Sequence, residues 1–189
     1  MAAMSAAQFE ARYRDDPDPW GYTSSSYERQ KYASTVAACG PGPFANGLEL
    51  GASIGVFSEL LAPRCRRLTT IDAAPTAVAA ARERLSGRPE VQVLLGSIPA
   101  DVPNGPYDLI VASEILYYLP APELESTLDR LAGTLADGGR LVAVHWVPPG
   151  HERPFTAAQV HTKLRNEAWL EPRFAMATSQ YLLDVLERR

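Results

Sequence analysis

The run Glu49-Leu50-Gly51-Ala52-Ser53-Ile54-Gly55 sets two glycines around a three-residue loop, directly after the short apolar stretch Leu48-Glu49-Leu50. Val56 to Leu61 follows with helical spacing. A strand thus turns sharply into a helix. Gly51 lets the backbone turn tightly and approach a ligand where a Cβ would obstruct it. Gly55 lets the same loop settle onto the helix.

Outward from this loop, short apolar runs alternate with helical patterns. Leu68 to Ile71 reads as a strand ending at Asp72, and Pro75 opens a helix through Leu85. Val91 to Leu95 and Tyr107 to Ala112 are strands ending at Gly96 and at Ser113-Glu114. Pro122 to Leu135 is a helix closed by Asp137-Gly138-Gly139, and Arg140 to Trp146 is a further strand. A helix over Thr156 to Asn166 and strands near Trp169 to Thr178 and Tyr181 to Leu186 complete the pattern. Strand–helix alternation predicts a Rossmann-like α/β fold: seven strands, mostly parallel with an antiparallel last strand, and helices on both faces. Ligands in such sheets lie beyond the carboxyl ends of the strands. That rule selects Glu49 to Gly55, Asp72, Gly96-Ser97, Ser113 to Tyr118 and His145.

Two cofactor classes use a glycine loop followed by an acid about 20 residues on. A dinucleotide site wants Gly-x-Gly-x-x-Gly, so that a pyrophosphate rests on bare backbone. Here Ser53 and Val56 take the second and third glycine positions, and Glu49 sets a negative charge near a negative ligand. S-adenosylmethionine has no phosphate, and its ammonium and sulfonium suit an acid near the loop. The pattern therefore favours the methyl donor, with Asp72 accepting from ribose hydroxyls.

A chain of 189 residues with 46% hydrophobic residues has the size of a single domain with its own core. We expect residues 47–189 to form the Rossmann-like core and 1–46 a helical lid. The net charge of -4 argues against a broad nucleic-acid surface. No run is apolar enough to span a bilayer, and Met1 to Gln8 does not read as a signal peptide. Cys39 and Cys65 have neither metal nor redox spacing and read as reduced thiols of a cytoplasmic protein. No acid cluster suggests a magnesium site, and His145, His151 and His161 lack the spacing for a metal; His151 and His161 are expected at the surface.

From Gly47 to Trp146 the chain resembles the class I S-adenosylmethionine-dependent methyltransferases. It is most similar to the small nodulation protein S (NodS) type. That likeness rests on Asp18-Pro19-Trp20 with Tyr27-Glu28-Arg29, on Leu48-Glu49-Leu50-Gly51, on Leu61-Ala62-Pro63, and on Glu114-Ile115-Leu116-Tyr117-Tyr118-Leu119. The resemblance implies a cofactor site made by Gly51, Asp72, Ser97 and the loop after the fourth strand. It implies N-methylation of a free amine, with an amino sugar as the acceptor. Two departures stand out: Ser53 replaces a frequent glycine, and Ser97 stands where an acid often contacts adenine, which leaves adenine recognition to backbone.

The expected cofactor contacts are thus Glu49, Gly51, Ala52, Ser53, Gly55, Asp72, Ala73, Ser97, Ile98, Ser113 and Trp20. Methyl transfer is an in-line displacement that needs proximity, alignment and desolvation. An amine of pKa near ~8 needs little help from a base, whereas a hydroxyl needs more. Glu114 is placed to orient an amine or take its proton, or else to cap a helix. Tyr117 and Tyr118 can line the acceptor pocket or face the sulfonium, one of them belonging to the core. His145, with an ordinary pKa near ~6.5, is the candidate base, or else a buried, bonded histidine. Arg29 and Lys31 read as solvated helix charges. Trp20, Tyr22, Tyr27 and Tyr32 form an aromatic lid or a flap on the core. The partner is a small-molecule acceptor, with no nucleic acid and no membrane, and the chain is a monomer or homodimer. Competing readings are O-methylation of a hydroxyl, a catalytically inert module that binds S-adenosylmethionine, and a dehydrogenase.

Overall fold

The computed structural model describes residues 3–148 and 152–189. Seven strands form one sheet in the order β3-β2-β1-β4-β5-β7-β6. They are β1 (Gly47–Leu50), β2 (Leu68–Asp72), β3 (Val91–Leu95), β4 (Tyr107–Ser113), β5 (Leu135–Trp146), β6 (Leu170–Ala177) and β7 (Tyr181–Arg188). Pairing is parallel from β3 through β5, and β7 runs antiparallel between β5 and β6. The helices are α1 (Ala6–Asp15), α2 (Ser26–Cys39), α3 (Val56–Leu61), α4 (Pro75–Arg84), α5 (Ala121–Thr134) and α6 (Ala157–Arg165).

Leu109, Ile110, Val111 and Ala112 of β4 are fully buried, as a central parallel strand covered on both faces requires. One hydrophobic cluster joins Ile110 and Leu141 to the α5 stripe Leu124, Leu128 and Leu131. A second joins Leu109, Val111 and Val142 on the other face to Tyr32, Phe57 and Leu61. The strand order reverses between β1 and β4, so the crevice beyond their carboxyl ends is the natural ligand site.

Two local expectations change. The helix expected to run through Leu135 and close at Asp137-Gly138-Gly139 ends at Thr134, and β5 starts at once at Leu135. Gly138 (φ +72°) and Gly139 lie inside β5, where its register against β4 slips between Tyr107 and Leu109. They serve an irregularity in the strand, not a helix cap. Helix α1, which the expectation of a helical N-terminal segment did not locate, starts with a capping box in which Ser5 and Gln8 satisfy each other's backbone. Among the described residues, no helix is long and apolar enough to cross a membrane.

Candidate functional site

The loop after β1 is held from below. The Gly51 and Ala52 amides donate to Ile71 O at 2.9 and 3.1 Å. Gly51 has φ +77°, and a Cβ there would press on the Ile115 side chain at 3.3 Å. Ser53, also left-handed at φ +50°, turns its amide onto Asp72 Oδ2 at 2.8 Å, while Ala74 N donates to Oδ1 at 2.9 Å. Asp72 thus stands at the end of β2 with its carboxylate oriented by two amides. Burial raises its pKa, and these amides oppose that rise.

Above this loop opens a cavity of about 620 Å³. Of the residues singled out in the sequence, Gly51, Ser53, Asp72, Ala73, Ser97 and Ile98 line it, and so do Ser113, Glu114, Tyr118 and Trp20. Its chemistry fits a nucleoside with a cationic tail. Asp72 offers acceptors to vicinal hydroxyls, Ile98 and its neighbours offer apolar surface, and the aromatic side chains Tyr118 and Trp20 line the same cavity.

The roof comes from α1, the element the sequence reading missed. Phe9 and Tyr13 line the same cavity. Tyr13 OH donates to Ser53 Oγ at 2.6 Å, and Glu10 accepts from Thr76 N and Oγ1 at 2.9 and 2.7 Å. Phe9, Tyr13, Trp20 and Tyr22 pack ring against ring with centroids 5.4 to 6.1 Å apart. The Ser5-x-x-Gln8 signature was the signal that could have found this helix.

A second cavity of about 440 Å³ adjoins the first, and Trp20, Tyr22, Glu114 and Tyr118 face both. Glu114 has φ +58° and caps no helix. Its Oε1 meets Lys31 Nζ at 2.7 Å; its Oε2 accepts from Tyr117 OH and, at 3.0 Å, from Trp146 N. Lys31, expected in solvent, is 1% exposed and also pairs with Glu28 Oε2 at 2.9 Å. Apolar burial alone would not tolerate that ammonium, so the two carboxylates explain its place. Tyr27 lines this cavity, and among the described residues its buried hydroxyl has no hydrogen-bond partner.

Four expected site residues do not face these cavities. Glu49 points below the loop and is 2% exposed; its Oε2 accepts from Ser58 Oγ at 2.5 Å and Thr70 Oγ1 at 3.0 Å. Burial pushes its pKa up to about 7. Ala52 is buried, and Gly55 (φ +78°) packs on α4, where a Cβ would meet Ala81 Cα at 3.2 Å. These three shape the loop from beneath. His145 is fully buried and is not placed to be a base. Its Nε2 accepts from Leu116 N at 3.2 Å, so its proton sits on Nδ1 and is donated to His161 Nε2 at 3.1 Å. His161 Nδ1 then donates to Asp184 Oδ2 at 2.9 Å, and Arg165 grips Asp184 at 2.7 and 2.6 Å. Burial, then the neighbouring His161, holds the His145 pKa well below its ordinary value. His161, expected at the surface, is 1% exposed because it completes this chain. His151 lies outside the described residues. Among the described residues, no group of three or more His, Cys, Asp or Glu is arranged to hold a metal.

Comparison with known proteins places this architecture. The family model of Nodulation protein S (NodS) matches residues 5–144. Nodulation protein S of Rhizobium tropici is 36% identical over 127 residues, covering 66% of this chain and 53% of that protein. That of Sinorhizobium fredii is 32% identical over 127 residues, covering 66% of this chain and 59% of that protein. The chain therefore spans little more than half the length of these curated relatives. A crystal structure of the N-methyltransferase NodS from Bradyrhizobium japonicum WM9, in complex with S-adenosyl-L-homocysteine, superposes with a TM-score of 0.86 at 28% identity. The match covers 98% of this chain and 99% of that one. Sheet order, glycine loop and sequence agree: the chain belongs to the nodulation protein S family.

Proposed function

We propose that this protein is an S-adenosylmethionine-dependent N-methyltransferase acting on a small polar amine, with an amino sugar in a biosynthetic pathway as the acceptor. The carrying observation is the junction of the two cavities at Glu114 and Tyr118, beside the loop held by Gly51 and Asp72. The larger cavity takes the methyl donor and the smaller the acceptor. Family membership and the bound S-adenosyl-L-homocysteine of the Bradyrhizobium relative support the donor assignment.

The donor supplies a methyl group on a sulfonium, which the amine lone pair takes as the carbon–sulfur bond breaks. Asp72 holds the ribose hydroxyls, and Ser97 and Ile98 frame the base. Tyr118 and Trp20 lie against the cationic centre and exclude water. Glu114, fixed by Lys31, Tyr117 and the Trp146 amide, accepts an N–H of the incoming amine and aims its lone pair. The proton of the product ammonium leaves to water, and no buried base is required. Residues 1–46 act as a lid on a single cytoplasmic domain in this reading.

Incubation with methyl-labelled S-adenosylmethionine and paired acceptors tests it. Each amine is matched with the analogue carrying a hydroxyl in its place. The expected product is a labelled methylamine. Label on the hydroxyl analogues alone would establish O-methylation instead, and donor binding without transfer to any acceptor would favour the inert module.

A further inference from the structure

Arg153 stands on the wall of the smaller cavity, beyond the segment matched by the family model, and the proposed reaction leaves it without a task. It is 7% exposed. Nη1 donates to Trp146 O at 3.1 Å and Nη2 to Pro148 O at 2.6 Å. The guanidinium lies 4.5 Å from the Tyr117 ring centroid and 5.2 Å from that of Trp146. Carbonyls and rings thus fix its plane. Among the described residues, Nε makes no hydrogen bond, which leaves it free to donate.

Its charge is uncompensated at contact range. Among the described residues no carboxylate comes within 4.0 Å of this guanidinium. The other cations of the cavity are spoken for: Arg12 pairs with Glu152 at 2.5 Å, and Lys31 lies between Glu28 and Glu114. A buried cation without a counter-ion is costly unless a ligand brings one. The cavity wall therefore carries two unlike groups. The Glu28–Lys31–Glu114 cluster sets two carboxyl groups against one ammonium beside the methyl-transfer junction, and Arg153 adds a guanidinium with no carboxylate of its own. A planar guanidinium of fixed orientation suits the oxygens of a carboxylate or phosphate.

We propose that Arg153 is a specificity-determining residue that binds an anionic group of the acceptor, so that the preferred amine also bears a carboxylate or a phosphate. This inference rests on reading the smaller cavity as the acceptor site. The amine lies at Glu114 and Tyr118, and the anion lies at Arg153.

Calorimetric titration of the protein loaded with S-adenosylhomocysteine tests the assignment. Three probes share one scaffold: glucosamine, glucosamine 6-phosphate and 2-amino-2-deoxyglucuronic acid. The expected result is binding of one anionic probe at least about tenfold tighter than glucosamine, a difference of about 1.4 kcal/mol. Which probe gains tells phosphate from carboxylate. In Arg153→Met that ratio collapses towards one. Arg153→Lys, which keeps the charge but not the fork, retains part of it. Retained binding of S-adenosylhomocysteine shows that each variant is folded. A ratio near one in the wild type, a ratio untouched by Arg153→Met, or no binding of any probe by the loaded protein overturns the proposal. Failure to bind S-adenosylhomocysteine would instead overturn the methyl-donor reading beneath it.

Discussion

His145 and Glu49 show how a side chain can serve the site without touching a ligand. The Leu116 amide can only donate, so every proton down the chain Leu116, His145, His161 and Asp184 has one position. Through Leu116 this chain anchors the turn that carries Tyr117 and Tyr118. His145→Gln keeps an acceptor for the Leu116 amide, whereas His145→Leu leaves it orphaned at a cost of about 1–3 kcal/mol. We expect kcat to fall at least about tenfold in His145→Leu, corresponding to about 1.4 kcal/mol of that cost. It should fall much less in His145→Gln, with donor affinity nearly unchanged in both. Equal loss in the two variants would return His145 to the role of base. Imidazole nitrogen shifts offer an independent check, with Nδ1 protonated on both rings.

For Glu49 the sign follows from burial. Its folded pKa, about 7, lies above the ordinary 4.5. Its contribution to stability is full below about 4.5 and is lost as pH rises through about 7, a difference of about 3 kcal/mol. Glu49→Gln imitates the protonated form. Urea unfolding should therefore show the variant gaining on the wild type at pH 8, by up to about 3 kcal/mol, and gaining little at pH 5. The same difference at both pH values would contradict a buried, titrating Glu49.

Elements were more legible in the sequence than the aim of individual side chains. Gly51, Asp72 and Ser97 come together on one cavity wall because strand ends and a tight turn leave local marks, and β1 to β4 begin and end close to where those marks put them. Glu49 was misaimed because alternation along a four-residue strand buried on both faces does not say which way an acid points. Lys31 was read as solvated because its partner Glu114 lies 83 residues away. His161 was missed for the same reason, since Asp184 comes from the last strand. Helix α1 carried a local cap signature but little apolar patterning, and its packing is tertiary. Glu10 on Thr76 and Tyr13 on Ser53 tie it to α4 and to the glycine loop. A chain lacking residues 1–15 should therefore still melt cooperatively but bind S-adenosylhomocysteine at least about tenfold more weakly, or about 1.4 kcal/mol. Undiminished affinity would show that α1 covers the cavity without contributing to it.

At the scale of the whole molecule, parallel strands set the carboxyl ends of β1, β2 and β4 side by side, and one crevice collects their loops. The N-terminal helices add a roof, and Arg153 stands on the wall of the smaller cavity. In the proposed reading, donor chemistry belongs to the fold, and acceptor choice to α2, the Glu114 loop and Arg153. The central claim is that the crevice holds a sulfonium methyl donor rather than a dinucleotide. Ser53 in the loop and the absence of the glycine series that would cradle a pyrophosphate underlie it. Calorimetric titration with S-adenosylhomocysteine, with NAD as the control, tests it most directly. The account predicts one-to-one, micromolar binding of the former and none of the latter; NAD binding with no response to S-adenosylhomocysteine would contradict it.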